Sequence, residues 1–188
     1  MPSRGPTRSL AAPAFVISAG CVLFRHVRAR EQPLQVCLLH DVALDHWLLP
    51  KGRVERGEAH LAGALRETAE ETGYACRALP LDMRTRAPAV GADTVDSAEG
   101  QAAAQCTEPF MITVRELRTD GTKFIWWFAA EVADEGAPPS TERRTEDEAY
   151  RGVFVDADDA CLSFTDDWEI LDQAVKLVKE TYREKGDT

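Results

Sequence analysis

Apolar and polar positions divide the chain into short strands arranged around two helices. Residues 14–25 (AFVISAGCVLFR) and 35–40 (QVCLLH) have the apolar, β-branched character of strands, separated by the polar, arginine-rich turn HVRAREQP. A third short strand at 47–49 ends at Pro50 and leads into a loop over 51–58. From 59 to 72 the chain has no proline and only Gly63 as a glycine, and Ala, Leu, Arg and Glu dominate, which predicts a helix. Gly73 stands where a left-handed helix stop is expected. An extended pattern resumes at 74–79, and residues 83–107, rich in Ala, Gly, Asp and Ser, predict a long excursion with little core-forming content.

Residues 110–117 and 123–132 predict a hairpin closed around Asp120-Gly121. A polar linker over 133–148 precedes a strand at 150–155. At 165–185 Trp168, Leu171, Val175, Val178 and Tyr182 form the apolar stripe of a final helix. Thr165 is its expected N-cap, with Asp166 and Asp167 in the first turn. The order predicts an α/β protein, a mixed sheet packed between helices. It is expected to form one domain over 14–185, with an insert at about 83–107, a flexible leader over 1–13 and a tail at 186–188.

The helix at 59–72 carries the most pointed chemistry. Glu67, Glu70 and Glu71 are three and four residues apart and so share one face. Three like charges there repel unless a cation sits among them, and the single Arg66 is too little to neutralise them. Hard divalent cations fit carboxylate oxygens and commonly arrive with phosphates. Leu61, Ala62, Leu65, Thr68, Ala69 and Thr72 are the expected buried side. The plainer reading is a solvated acidic helix face.

Gly52, Glu58, Arg66, Glu67, Glu70, Glu71 and Gly73 also stand in one register, G-x5-E-x7-R-E-U-x-E-E-x-G-U, with U a bulky apolar residue and Thr68 the one departure from it. In this spacing the segment resembles the Nudix hydrolases. The resemblance implies an α/β/α sandwich and a hydrolase of phosphoanhydrides using Mg²⁺, with Mn²⁺ as the alternative. It implies metal ligation by Glu67, Glu70, Glu71 and the Gly52 carbonyl. Glu70 is the expected activator of water, with Glu67 and Arg66 in the catalytic set. Glu58 and Gly73 hold structural places in the motif, Glu58 by pairing with Arg66 across the loop.

A wider match, HWLLPKGRVERGE, RETAEETGY, KFIWWFAAEV and EDEAYRGVFVDADDA, resembles the branch acting on diadenosine polyphosphates and the related diphosphoinositol polyphosphate branch. That likeness adds Glu146 to the metal set, with Asp147 and Glu148 as adjacent rivals and a solvated acidic linker as the plainer reading. It makes Tyr150 a base-stacking candidate. Lys51 in the Pro-Lys-Gly run is placed to meet phosphate, with Arg53, Arg25, His26 and Arg28 as helpers. Trp126 or Trp127 is a candidate aromatic platform, although core packing is the commoner fate of a strand tryptophan. Arg84, Arg86, Arg115, Arg118, Lys123, Arg143 and Arg144 would make a patch for a compact polyanion if the fold gathered them.

Composition trims the alternatives. The chain has 188 residues and a formal net charge of −10, which argues against bulk nucleic-acid or anionic-membrane binding. A polyanionic small-molecule substrate then requires a metal and a local basic patch. No apolar run has the length of a bilayer span. Five scattered cysteines lack zinc spacing, and their odd count favours a reducing compartment. The expected location is cytoplasmic, with the nucleus, or secretion after loss of a signal peptide, as alternatives. Competing functions are hydrolysis of nucleoside triphosphates or capped RNA, and a binding module that has lost turnover. Nothing in the sequence bears on oligomeric state.

Overall fold

The computed structural model describes residues 5–91, 99–118, 121–140 and 150–183. β1 (Phe15–Arg25) is the spine of a mixed sheet. It runs parallel to β9 (Thr122–Val132) along ten paired residues, from Phe15↔Thr122 to Phe24↔Glu131. On its other side two strands pair with it end to end. β4 (Lys51–Arg53) takes its first half, and β2 (Gln35–Asp41) takes its last three residues. β3 (His46–Leu48) and β10 (Tyr150–Asp156) extend the sheet from β2, while β5 (Cys76–Ala78) and β8 (Met111–Glu116) extend it from β9.

Side-chain alternation splits β1 and β9 between two cores. Val22, Phe24, Ile125, Trp127 and Ala129 face α2 (Thr165–Tyr182), whose Ile170, Leu171, Ala174, Leu177 and Val178 complete that core. Ala19, Cys21, Leu23, Phe128, Ala130 and Val132 face α1 (His60–Thr72), which contributes Ala64. The sheet therefore lies between the two helices, as the α/β reading expected. α1 ends as predicted: Gly73 takes φ 79°, and its N–H donates to Ala69 O at 2.9 Å.

Three expectations need correction. The 83–107 excursion has regular structure, because β6 (Leu81–Thr85) pairs antiparallel with β7 (Gln101–Cys106), although among its described apolar residues only Met83 is buried. Alanine-rich β7 shows no period that a sequence reading would weigh. The buried face of α2 is rotated from the expected stripe: Ile170, Ala174 and Leu177 are buried, whereas Trp168 is 39% exposed. On α1, Gly63 and Ala64 are buried in place of Ala62, which is exposed. A Cβ at Gly63 would meet Val54 and the Glu58 carboxylate, so the glycine makes room for the loop while Ala64 packs on the sheet.

Candidate active site

β4 organises the site because its three residues alternate between the faces of the sheet. Gly52 turns towards α1, and a Cβ there would overlap the carboxylate of Glu67. This close approach is the physical need for glycine in the motif. The flanking backbone is tied to the same helix. The Lys51 N–H donates to Glu71 Oε2 at 2.7 Å, and Arg66 Nη2 donates to Arg53 O at 3.0 Å.

Arg66 is the hub of the acidic face. Its Nε and Nη2 donate to the two oxygens of Glu58, each at 2.9 Å, in a bidentate pair. Its Nη1 donates to Glu67 Oε1 at 2.8 Å and to Glu70 Oε2 at 3.2 Å. Glu58 also accepts the Glu55 N–H at 2.8 Å, closing the loop on itself. These side chains are 16–27% exposed, so the pairs are poorly screened by water. The Glu58 bond above all, and then Glu67, hold the guanidinium proton far more firmly than usual. The pairing of Glu58 with Arg66 is the one the sequence suggested. Arg66 also spans two of the three helix carboxylates, more than its position in the motif foretold.

Among the described residues no three acidic, imidazole or thiol groups form a ready-made metal cage. The donor set nevertheless fits a hard cation. Glu67 and Glu70 converge on one guanidinium nitrogen, Glu71 lies one residue along the helix, and the Glu67 carboxylate fills the space that the missing Gly52 side chain leaves. Glu146, with its rivals Asp147 and Glu148, lies outside the described residues, as do Arg143 and Arg144.

The α2 face of β4 is opposite in charge. Lys51 projects there beside Gly20 and the ring of Trp127. Alternation places Arg53 on the same side. Lys123 of β9 and Arg115 of β8 are directly paired and share that face. Burial first, then the facing Lys51, Arg115 and Arg53 charges, lower the Lys123 ammonium's proton affinity, with Glu71 opposing them. Asp167, buried in the first turn of α2, accepts a hydrogen bond from the Leu49 backbone. Burial raises its pKa, against the pull of Lys51 and Arg115. Sequence reasoning named Arg115 and Lys123 only conditionally, since their meeting depends on the register of β8 with β9.

Two substrate candidates are corrected. Trp127 is fully buried, and its indole N–H donates to Thr113 Oγ1 at 3.0 Å, so it is core rather than platform. Arg25 sits at the far end of β1 from the Gly20–Lys51 pair, where its Nε donates to Gln35 Oε1 at 2.6 Å and its guanidinium lies 4.2 Å over the Phe154 ring. His26 and Arg28 share that remote end; Arg28 pairs with Glu131 at 2.6 Å. Trp126 is partly buried on the α1 face, stacked on His60 at 5.0 Å. Tyr150 opens β10 opposite Asp41, at the outer edge of the sheet.

Comparison with known proteins agrees with this geometry. The family model described as NUDIX domain matches residues 14–177. An 8-oxo-(d)GTP phosphatase of Mycolicibacterium smegmatis is 27% identical over 174 residues, covering 88% of this chain and 43% of that protein. The chain thus spans less than half the length of this curated relative. A C. elegans Ap4A hydrolase binary complex superposes with TM-score 0.55 at 17% identity, over 88% of this chain and 98% of that one. A NUDIX hydrolase from Nitrosomonas europaea gives TM-score 0.54 at 14% identity, over 86% and 88% of the two chains. At these identities the solved structures speak for the fold.

Proposed function

The chain belongs to the NUDIX family, and on that premise we propose that it is a Mg²⁺-dependent pyrophosphohydrolase cleaving a phosphoanhydride in diphosphoinositol polyphosphates, diadenosine polyphosphates or both. The observation that carries this reading is the gathering of Glu67 and Glu70 on one nitrogen of Arg66, with Glu67 against Gly52 and Glu71 on the Lys51 N–H. NUDIX hydrolases in general use divalent metal ions, and the residues that would hold one are Glu67, Glu70, Glu71 and the Gly52 carbonyl. The bound cation would neutralise charge on the phosphate oxygens and lower the pKa of bound water.

The chain's own groups do the rest. Glu70 takes the proton of the attacking water as a P–O bond forms and the bridging P–O bond breaks. Arg66 keeps Glu67 and Glu58 in place, so the loop and helix hold their spacing through turnover. Lys51 and Arg53 meet phosphate oxygens on the other side of β4. No helix among the described residues is long and apolar enough to cross a membrane. Nucleoside triphosphates are the second reading, favoured by the likeness to the 8-oxo-(d)GTP phosphatase.

The test is turnover with Mg²⁺ of diadenosine tetraphosphate, 5-diphosphoinositol pentakisphosphate and 8-oxo-dGTP, with Glu70→Gln alongside. We expect kcat to fall about 10³-fold in the variant, the scale of a lost general base. A hundredfold preference in kcat/KM for one substrate corresponds to roughly 2.7 kcal/mol of transition-state discrimination and assigns the branch. Absence of turnover on all three, or a variant equal to wild type, overturns the reading in favour of a binding module.

A further inference from the structure

β4 connects the acidic centre to the cationic face behind it. The backbones of Lys51 and Arg53 are bonded to α1, through Glu71 and Arg66, while their side chains leave on the α2 face. Across β1 on that face stand Lys123 and Arg115, contributed by a different hairpin. Ser18 pairs with Arg53, and Val16 pairs with Lys123, so the two cations flank β1 near the same end. Two strand spacings separate them, about 10 Å. Four basic side chains from three strands thus face one stretch of sheet in a chain whose net charge is −10.

Carboxylates nearby do not cancel this charge one for one. Asp166 Oδ2 stands 4.0 Å from Arg115 Nη2, at the limit of an ion pair, on a side chain that is 71% exposed. Asp167 is buried, accepts the Leu49 N–H, and offsets part of the Lys51 and Arg115 charge. Glu71 accepts the Lys51 N–H and opposes the cations at Lys123, so three carboxylates face four cations. Cations gathered beside one another repel, and the arrangement is relieved by an anion that touches several of them at once.

We infer that Lys123 and Arg115, together with Lys51 and Arg53, form a second phosphate-binding subsite on the α2 face, which selects substrates carrying phosphates beyond the pair being cleaved. The inference rests on the reading of Glu67, Glu70 and Glu71 as the hydrolytic centre, and it names what lies beyond the scissile bond. The chemical class is a chain or cluster of three or more phosphates. A diphosphate reaches the acidic centre and Lys51 without needing the β8–β9 hairpin. Lys123 and Arg115 act as specificity-determining residues, touching the non-reacting phosphates.

Calorimetric titration of the whole chain in Mg²⁺ with inorganic tripolyphosphate and, separately, with orthophosphate tests this. Wild type is expected to bind tripolyphosphate at least tenfold more tightly. The double substitution Arg115→Ala, Lys123→Met is expected to erase most of that advantage, and the charge-conserving Arg115→Lys, Lys123→Arg pair to keep it. A thermal melt of each variant identifies loss of fold, and the conserving pair then decides alone. Tripolyphosphate affinity that survives the double substitution, or a wild type without the preference, overturns the subsite. A tripolyphosphate preference in a protein that turns over no polyphosphate would leave the subsite standing and reject the hydrolytic reading.

Discussion

The two sides of β4 handle concentrated charge in opposite ways. On the α1 side, three of the motif's carboxylates are stitched to one guanidinium, so the negative face arrives with its own partial counter-charge. On the α2 side, Lys51, Arg53 and Arg115 gather around Lys123, and burial first, then these charges, lower that ammonium's proton affinity against the opposing pull of Glu71. The first arrangement is a rigid scaffold whose residues brace one another. The second is held in place by the sheet alone and carries a penalty that an anionic ligand removes. Structure and recognition are thus separated across a strand three residues long.

The largest effect is expected from removing the hub. Arg66→Met strands Glu58 and Glu67 on a poorly hydrated surface and should cost about 2 kcal/mol, the scale of a lost charged hydrogen-bond set. Activity should fall with it, because Glu67 and Glu70 lose their common partner. Urea unfolding measures the first and kcat the second. A variant as stable as wild type would mean that the two sides of β4 do not differ as described.

Lys123→Met should move stability the other way. Its folded pKa lies below the unfolded value, so folding releases a proton between the two, and wild-type stability rises with pH through that window. The neutral side chain removes the penalty at neutral pH. We expect Tm to rise by about 1–2 °C while tripolyphosphate binding weakens. A fall in Tm would show that the cations are not in mutual repulsion.

Asp167→Asn should give the smallest and most pH-dependent change. The folded pKa is raised, so folding takes up a proton, and the stability this contributes is present below the unfolded pKa and lost as pH rises through the folded one. Asparagine does not titrate and keeps an oxygen for the Leu49 N–H. Its Tm relative to wild type should therefore climb as pH goes from 4 to 8, by about 1 °C. A difference that stays flat with pH would mean that the pull of Lys51 and Arg115 fully offsets burial at Asp167.

The legible and illegible parts of the molecule divide along the same line. α1 was readable because a helix puts residues three and four apart on one face, and Gly73 marks its end within the same segment. The Glu58–Arg66 pair was implied by the resemblance that the motif carries. The sequence left Trp127 between platform and core, because a strand exposes one side or the other according to which face is covered, and neighbouring residues do not reveal that. Arg25 was placed with Lys51 although the whole second half of β1 lies between them. The strand character of 101–106 was hidden by its alanines, which carry no alternation.

The sequence by itself therefore determined the acidic helix and its glycine stop, because each depends on contacts a few residues apart, whereas the approach of Glu67 to Gly52 emerged only in the structure. Only the tertiary structure decided that Lys51, Arg53, Arg115 and Lys123 share a face. That meeting depends on the parallel register of β1 with β9 and the antiparallel registers of β4 and β8. A shift of one residue in any of them would turn the side chain to the opposite face. Registers of this kind are set by how two cores fill on either side of the sheet, which is a property of the whole chain.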